Sequence, residues 1–255
     1  MNDHPYYTFN REERNHAALL YHLLLTGSSN LGAFLELIGH ASEPDLDQCE
    51  VYFEYAFLRD YWKRVLPTEN KREWILKKLP PTFRELLHGK SVTEWNEFFK
   101  VRTSKASKGA IQSPANWVTK RISDVDHEAI KALNLLKWCF NLKPDLVIRT
   151  PGGKFICIEA KMDSKVSRYT CQLPPTNGQE GSVYSMSQIN CQREMFAMLP
   201  DAKVQTFIPV LLVKKKGSLA GVEYVTWSDV FEKLDKSKSH PFVQRWTDDN
   251  LIYKS

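Results

Sequence analysis

The sequence predicts a mixed α/β fold in which an all-helical N-terminal half precedes a core that contains a sheet. Three observations predict it. Apolar residues recur at helical spacing early in the chain, as in Ala17, Leu20, Tyr21 and Leu24. Beyond residue 140 the period changes: Leu146-Val147-Ile148 and Phe155-Ile156-Cys157-Ile158 are short apolar runs on either side of Pro151-Gly152-Gly153-Lys154, the pattern of a hairpin. A further helical stretch then leads to an apolar run, Val204 to Val213, that reads as a buried strand.

Asn10 opens the first helix, where its side chain can cap the free N–H groups and Glu13 completes a capping box. Thr26-Gly27-Ser28-Ser29-Asn30 ends that helix, and Leu31 to Ile38 begins another. From Leu46 to Lys100 the pattern stays helical, cut into short pieces by Pro67, Pro80, Pro81 and Gly89. Its aromatic-rich part, Val51 to Val65, reads as a core face rather than a base-stacking surface. Arg102 to Asn116 is basic and rich in small residues, either a solvated linker or a strap that meets phosphates. Ser123 can cap a helix that runs to Phe140 and buries Val125, Ala129, Ile130, Leu133 and Leu136. After the hairpin, Lys165 to Gly181 reads as a loop, Tyr184 to Leu199 as a helix and Val222 to Thr226 as a strand. Trp227 to Leu234 closes the series as a helix capped by Thr226 or Ser228. The expected division is a helical region, residues 1–122, packed on or inserted into a core formed by residues 123–255.

The chain has 255 residues, 42% of them hydrophobic and 25% charged, enough to bury a core. The longest apolar runs are too short to cross a bilayer, and the start of the chain lacks the pattern of a secretion signal. Five scattered cysteines without a CxxC pair point to neither zinc nor a disulfide framework, so a reducing, cytoplasmic setting is expected. The net charge of +5 leans mildly towards an anionic partner. The seven histidines show no metal-ligand spacing, and no phosphate-cradling glycine loop or Gly-x-Ser-x-Gly is present, which leaves ATP use and serine hydrolysis without support.

The residues that could carry chemistry are Lys143-Pro144-Asp145 and, across the hairpin turn, Glu159-Ala160-Lys161. Asp145 starts one strand and Glu159 lies near the end of its neighbour, so both can occupy one end of the sheet. Glu159 and Lys161 are two apart and project from one strand face, while Ala160 points to the apolar side. Two close carboxylates make a hard-oxygen site suited to Mg²⁺ or Mn²⁺, and a lysine beside them can orient water or offset developing charge. An acidic residue two before a lysine occurs four times, at Glu69, Glu159, Asp163 and Asp201, but only Glu159 ends an apolar strand paired with a Pro-Asp strand.

Pro144-Asp145 with Glu159-Ala160-Lys161 resembles the signature of the PD-(D/E)XK nuclease superfamily, over roughly the second half of the chain. The resemblance implies a restriction-endonuclease-like core of αβββαβ order and metal-dependent hydrolysis of DNA phosphodiester bonds, in restriction, repair or defence against foreign DNA. It implies that Asp145, Glu159 and the carbonyl of Ala160 hold Mg²⁺ or Mn²⁺ and that Lys161 is the catalytic lysine. The family often adds a glutamate from an earlier helix. Glu13 is the favoured match, with Glu12 and Glu128 as rivals and helix capping as its alternative role. Gln188 matches a glutamine that some members place on the helix after the lysine. Lys105, Lys108, Lys120, Arg121, Lys165 and Arg168 are the basic groups that could follow a phosphate backbone. The expected partner is DNA, with RNA and a homodimer left open and no membrane. The rival expectation is a catalytically inactive nuclease-fold protein that binds nucleic acid or a protein partner.

Overall fold

The structure is a computed structural model, and it describes residues 13–41, 45–102, 105, 109–122, 125–162, 165–175, 180–199, 206–215, 217 and 220–251. The chain forms two compact units, each assembled from separated segments. Unit 1 comprises residues 1–55, 143–165 and 201–255, and unit 2 comprises residues 56–142 and 166–200. The chain therefore does not divide at residues 122 and 123. Unit 2 is spliced into unit 1 twice, and the N-terminal helices belong with the sheet.

Unit 1 holds helices α1 (Glu13–Leu25) and α2 (Ser28–Leu37) and strands β1 (Glu50–Phe53), β2 (Leu146–Arg149) and β3 (Lys154–Ala160). Strands β6 (Thr206–Val213) and β7 (Glu223–Thr226) complete its sheet, and α9 (Trp227–Lys233) and α10 (Pro241–Leu251) follow. The five strands lie in the order β1-β2-β3-β6-β7. The first three are antiparallel, and β3, β6 and β7 run parallel. Alternate residues of three central strands, among them Leu146, Ile158, Ala160, Val210 and Leu212, share one core with Leu20, Phe34 and Phe231 of the helices. Val147 and Cys157 point the other way yet are also fully buried, so the middle of the sheet is apolar on both faces. The hairpin turn between β2 and β3 needs its glycine: Gly153 takes φ 78°, beyond the reach of most side chains. The buried Asn30 side chain donates to Leu23 O and Asp235 O and accepts from Asp235 N, which ties the α1–α2 turn to the end of α9.

β1 falls where the sequence reads as helix. Val51, Tyr52 and Phe53 favour a pleated strand, and β2 offers them a partner edge that no local pattern reveals. Thr226 caps α9 in a capping box with Asp229, one of the two expected caps. Asn10, the cap expected for α1, lies outside the described residues.

Unit 2 holds short helices α3 (Phe57–Asp60), α4 (Lys71–Lys78), α5 (Thr82–Leu87) and α6 (Val92–Phe98) and the long α7 (His127–Asn141). A two-stranded ribbon, β4 (Arg168–Leu173) with β5 (Ser182–Ser187), leads into α8 (Gln188–Ala197). Aromatics fill its interior: Trp62 and Trp74 meet Phe140 edge-on at 5.8 and 5.7 Å, and Phe99 stacks on Trp117 at 3.9 Å. Within the stripe Tyr55 and Trp62 are buried and Tyr52, Phe53, Phe57 and Tyr61 are partly so, while Val65 is exposed. Two expectations change here. Residues 165–181 are not all loop, because β4 occupies part of them. The helix expected from Tyr184 starts at Gln188, because β4 draws Ser182–Ser187 into a strand before Ser187 caps α8. The cap of α7 is Asp126, whose carboxylate accepts the Ala129 N–H at 2.7 Å, while Ser123 lies outside the described residues.

Candidate active site

The register of the hairpin builds the site. Leu146 faces Ile158, so Asp145, one residue before β2, faces Glu159. Directly opposed residues of an antiparallel pair project to the same side. The alternation that buries Ile158 and Ala160 beside α1 and α2 turns Glu159 the other way. Lys161 follows Glu159, and its Nζ donates to Glu159 Oε1 at 2.9 Å. The same ammonium lies 3.4 Å from Glu13 Oε2, at the start of α1. Backbone N–H groups hold the remaining acids: Ala160 donates to Asp145 Oδ2 at 2.9 Å and Met162 to Glu13 Oε1 at 3.1 Å. Three consecutive residues, Ala160-Lys161-Met162, thereby grip three carboxylates: Glu159 beside them, Asp145 across the hairpin and Glu13 from the start of α1.

The surrounding backbone is pinned as well. Glu54 N donates to Asp145 O at 2.9 Å, and Glu54 adopts φ 49°, a left-handed conformation uncommon for a side chain of its size. Its carboxylate bridges Arg14 at 2.7 Å and Lys143 at 3.2 Å. Lys161 O accepts from Trp227 Nε1 at 3.4 Å, and His16 meets the Trp227 ring edge-on at 5.4 Å. These groups fix the main chain on both sides of the acidic pair.

Burial gives the cluster its electrostatics. Glu159 is 3% exposed and Lys161 7%. A charge so far from water requires a partner, and a missing partner costs several kcal/mol. Burial first, and the nearby Glu159 charge second, push the Asp145 carboxyl up to about 7 against the pull of the Ala160 N–H and Lys161. Burial works to discharge Lys161, but the charges of Glu159, Glu13 and Asp145 outweigh it and hold the ammonium above its ordinary range. Three carboxyl groups thus share one ammonium, and burial together with the Glu159 charge favours the protonated form of Asp145 over what Lys161 can offset.

That shortage is the feature a hard divalent cation would relieve. Asp145 and Glu159 supply oxygen donors of the type Mg²⁺ and Mn²⁺ take, and Asp145 Oδ1 has no protein hydrogen bond among the described residues. The donor set therefore fits such an ion, with the Ala160 carbonyl as the third ligand the sequence motif implies. Among the described residues no three His, Cys, Asp or Glu side chains converge in ligand geometry, so the protein would furnish a pair of carboxylates rather than a cage. Glu13 is engaged with Lys161 and the Met162 N–H.

The structure thus brings Asp145, Glu159, Ala160, Lys161 and Glu13 together within unit 1. Of the other glutamates considered, Glu128 is exposed on α7 and paired with Lys131 at 2.7 Å, and Glu12 lies outside the described residues. Lys165 is exposed at the end of a segment of unit 1. Lys105, Lys120, Arg121, Arg168 and Gln188 belong to unit 2. Lys105 is exposed and donates to Asn116 Oδ1 at 3.0 Å. Arg168 lies on β4, and Gln188 opens α8 with its backbone N–H on Ser167 O at 2.8 Å. Lys108 lies outside the described residues. Sequence reasoning missed Glu54, Arg14 and Trp227. An acidic residue inside the aromatic run at Tyr52-Phe53-Glu54-Tyr55 was the available signal for Glu54; Arg14 and Trp227 carried none. No helix among the described residues is long and apolar enough to cross a membrane. No protein-family model matches the chain, and it matches neither a curated protein nor a solved structure, so the geometry carries the functional argument alone.

Proposed function

We propose that this chain is a metal-dependent nuclease that hydrolyses DNA phosphodiester bonds. One observation carries the reading: Asp145 and Glu159 oppose each other at the end of a buried strand pair, with Lys161 beside them and too little positive charge to balance the acids. The element order of unit 1 supports kinship with the restriction-endonuclease-like core. It runs two helices, then three antiparallel strands, with β6 returning parallel to β3.

Asp145 and Glu159, with the Ala160 carbonyl, would hold Mg²⁺ or Mn²⁺. The ion when bound would offset charge on the scissile phosphate and acidify a water molecule. The chain does the rest. Lys161 keeps its proton at neutral pH, so it acts through charge and hydrogen bonding and not as a base. Glu13 and Glu159 fix its position. Asp145 titrates near neutrality and can hold a proton there until a cation displaces it. A role in restriction, repair or defence, a cytoplasmic setting and a homodimer suited to double-strand cutting belong to the same proposal.

The test is cleavage of circular and linear DNA in EDTA, Mg²⁺ or Mn²⁺, with the Lys161→Ala protein alongside. Metal-dependent cutting that disappears in the variant is expected, and unaltered cutting by the variant would remove Lys161 from its role. The second reading, an inactive nuclease fold that binds nucleic acid or a protein, draws on the ion pairs that already occupy Lys161 and Glu13. It predicts no cleavage and no stabilisation by Mn²⁺.

A further inference from the structure

The β4–β5 ribbon has two unlike faces. Its inner face carries Tyr169, Cys171, Leu173 and Tyr184, and the two tyrosine rings flank Trp138 of α7 at 5.7 and 5.6 Å. The register sets Arg168 opposite Ser187, Thr170 opposite Ser185 and Gln172 opposite Val183, and these six residues form the outer face. Arg168, Thr170, Gln172 and Val183 are exposed, with Val183 at 59%. The outer face bears no carboxylate, and its one charge is positive. Arg168 Nε donates to Ser185 Oγ at 2.9 Å, which holds the guanidinium on the ribbon and leaves its terminal N–H₂ groups to solvent.

We propose that this face binds double-stranded DNA by entering the major groove. It takes nucleic acid as partner from the nuclease reading and otherwise rests on its own geometry. A two-stranded ribbon fits a groove about 12 Å wide. Alternate strand residues lie ~6.6 Å apart, about twice the ~3.4 Å rise of stacked base pairs. Arg168, Thr170 and Gln172 therefore meet every second base pair. Their chemistry suits base edges: a guanidinium fork for guanine O6 and N7, an amide for adenine N6 and N7, hydroxyls for either. Val183, an apolar side chain with no reason to face water, matches the methyl group of thymine. The deep, narrow major groove of duplex RNA excludes such a ribbon.

The test is fluorescence anisotropy of the full chain with a short labelled DNA duplex, its single strand and the equivalent RNA duplex, all in EDTA so that cutting is silent. The DNA duplex should bind at least about tenfold tighter than the RNA duplex, and a Thr170→Glu, Gln172→Glu double variant should lose at least about tenfold on the DNA duplex. Arg168→Lys keeps the charge but not the fork, so it should retain affinity and lose base preference in selection from a randomised duplex pool. Equal binding of RNA and DNA duplexes, no DNA binding, or a double variant that binds like the parent overturns the proposal. A chain that cuts DNA in Mn²⁺ while its double variant binds unchanged overturns the ribbon and leaves the nuclease reading intact. Ribbon-dependent binding without cutting supports the ribbon and removes the nuclease.

Discussion

The chain builds two antiparallel hairpins and uses them in opposite ways. β2–β3 is apolar on both faces and gathers its acids at one end. β4–β5 is largely apolar on one face and, Val183 apart, polar on the other. In the first, Glu159 and Lys161 are almost out of water, so each depends on the other, and a substitution disturbs fold and chemistry together. In the second, Arg168, Thr170 and Gln172 are solvated, so a substitution there should leave the fold intact. The same local architecture makes one polar set indispensable to folding and the other dispensable.

The largest test of that contrast is Lys161→Ala. It leaves Glu159 buried without its cation, so cleavage should fall on the order of 10³-fold and metal-free stability by ~3–5 kcal/mol, read by urea unfolding in EDTA. Parent-like stability would show that water or other groups already satisfy Glu159. Asp145→Asn should separate the two properties. It removes a carboxylate whose charge burial opposes, so stability in EDTA at pH 8 should rise, on the order of 2 kcal/mol, while cleavage is lost. A destabilised Asn variant would contradict the charge shortage.

The pH dependence sharpens the same point. The Asp145 carboxyl titrates at about 7 in the folded chain against an ordinary 3.8, so between these values the folded state keeps a proton that the unfolded state releases. Its contribution to stability is full below about pH 4 and is lost as pH climbs through 7. In EDTA the parent should therefore lose stability relative to Asp145→Asn across that window. Mn²⁺ competes with the same proton, so its affinity, measured by calorimetry, should rise up to about pH 7 and level off above. The smallest effect belongs to unit 2. Asp126→Ala removes the cap of α7, the helix whose Trp138 supports the ribbon, and should cost about 1 kcal/mol with cleavage chemistry unchanged.

The difference between the hairpins also decided what could be read in the sequence. β3 is a continuous apolar run with a turn before it, and an acid and a lysine at its end stand out against that run. The opposition of Asp145 and Glu159 follows from strand geometry alone. β4 alternates as well, but its inward members are Tyr169 and Cys171, amphipathic or small, and Pro174-Pro175 close behind them resembles a loop. β1 was hidden for another reason: Val51, Tyr52 and Phe53 become a strand through β2, which lies nearly a hundred residues on, with Glu50 opposite Arg149. The division into units was illegible because each is defined by contacts between segments far apart in sequence. Glu13 could be nominated from its place on α1, but its partners Lys161 and Met162, 148 and 149 positions away, could not.

The double splice of unit 2 into unit 1 has a consequence for synthesis. β1 leaves the ribosome long before β2, and β6, the parallel neighbour of β3, comes later still. Neither unit can close early, since unit 2 needs residues up to 200 and the sheet needs β6. At about 5–20 residues per second, the acids of the site spend several seconds on a chain that cannot yet assemble them. Such non-local pairing slows folding. It also means that no product ending before β6 carries a finished sheet.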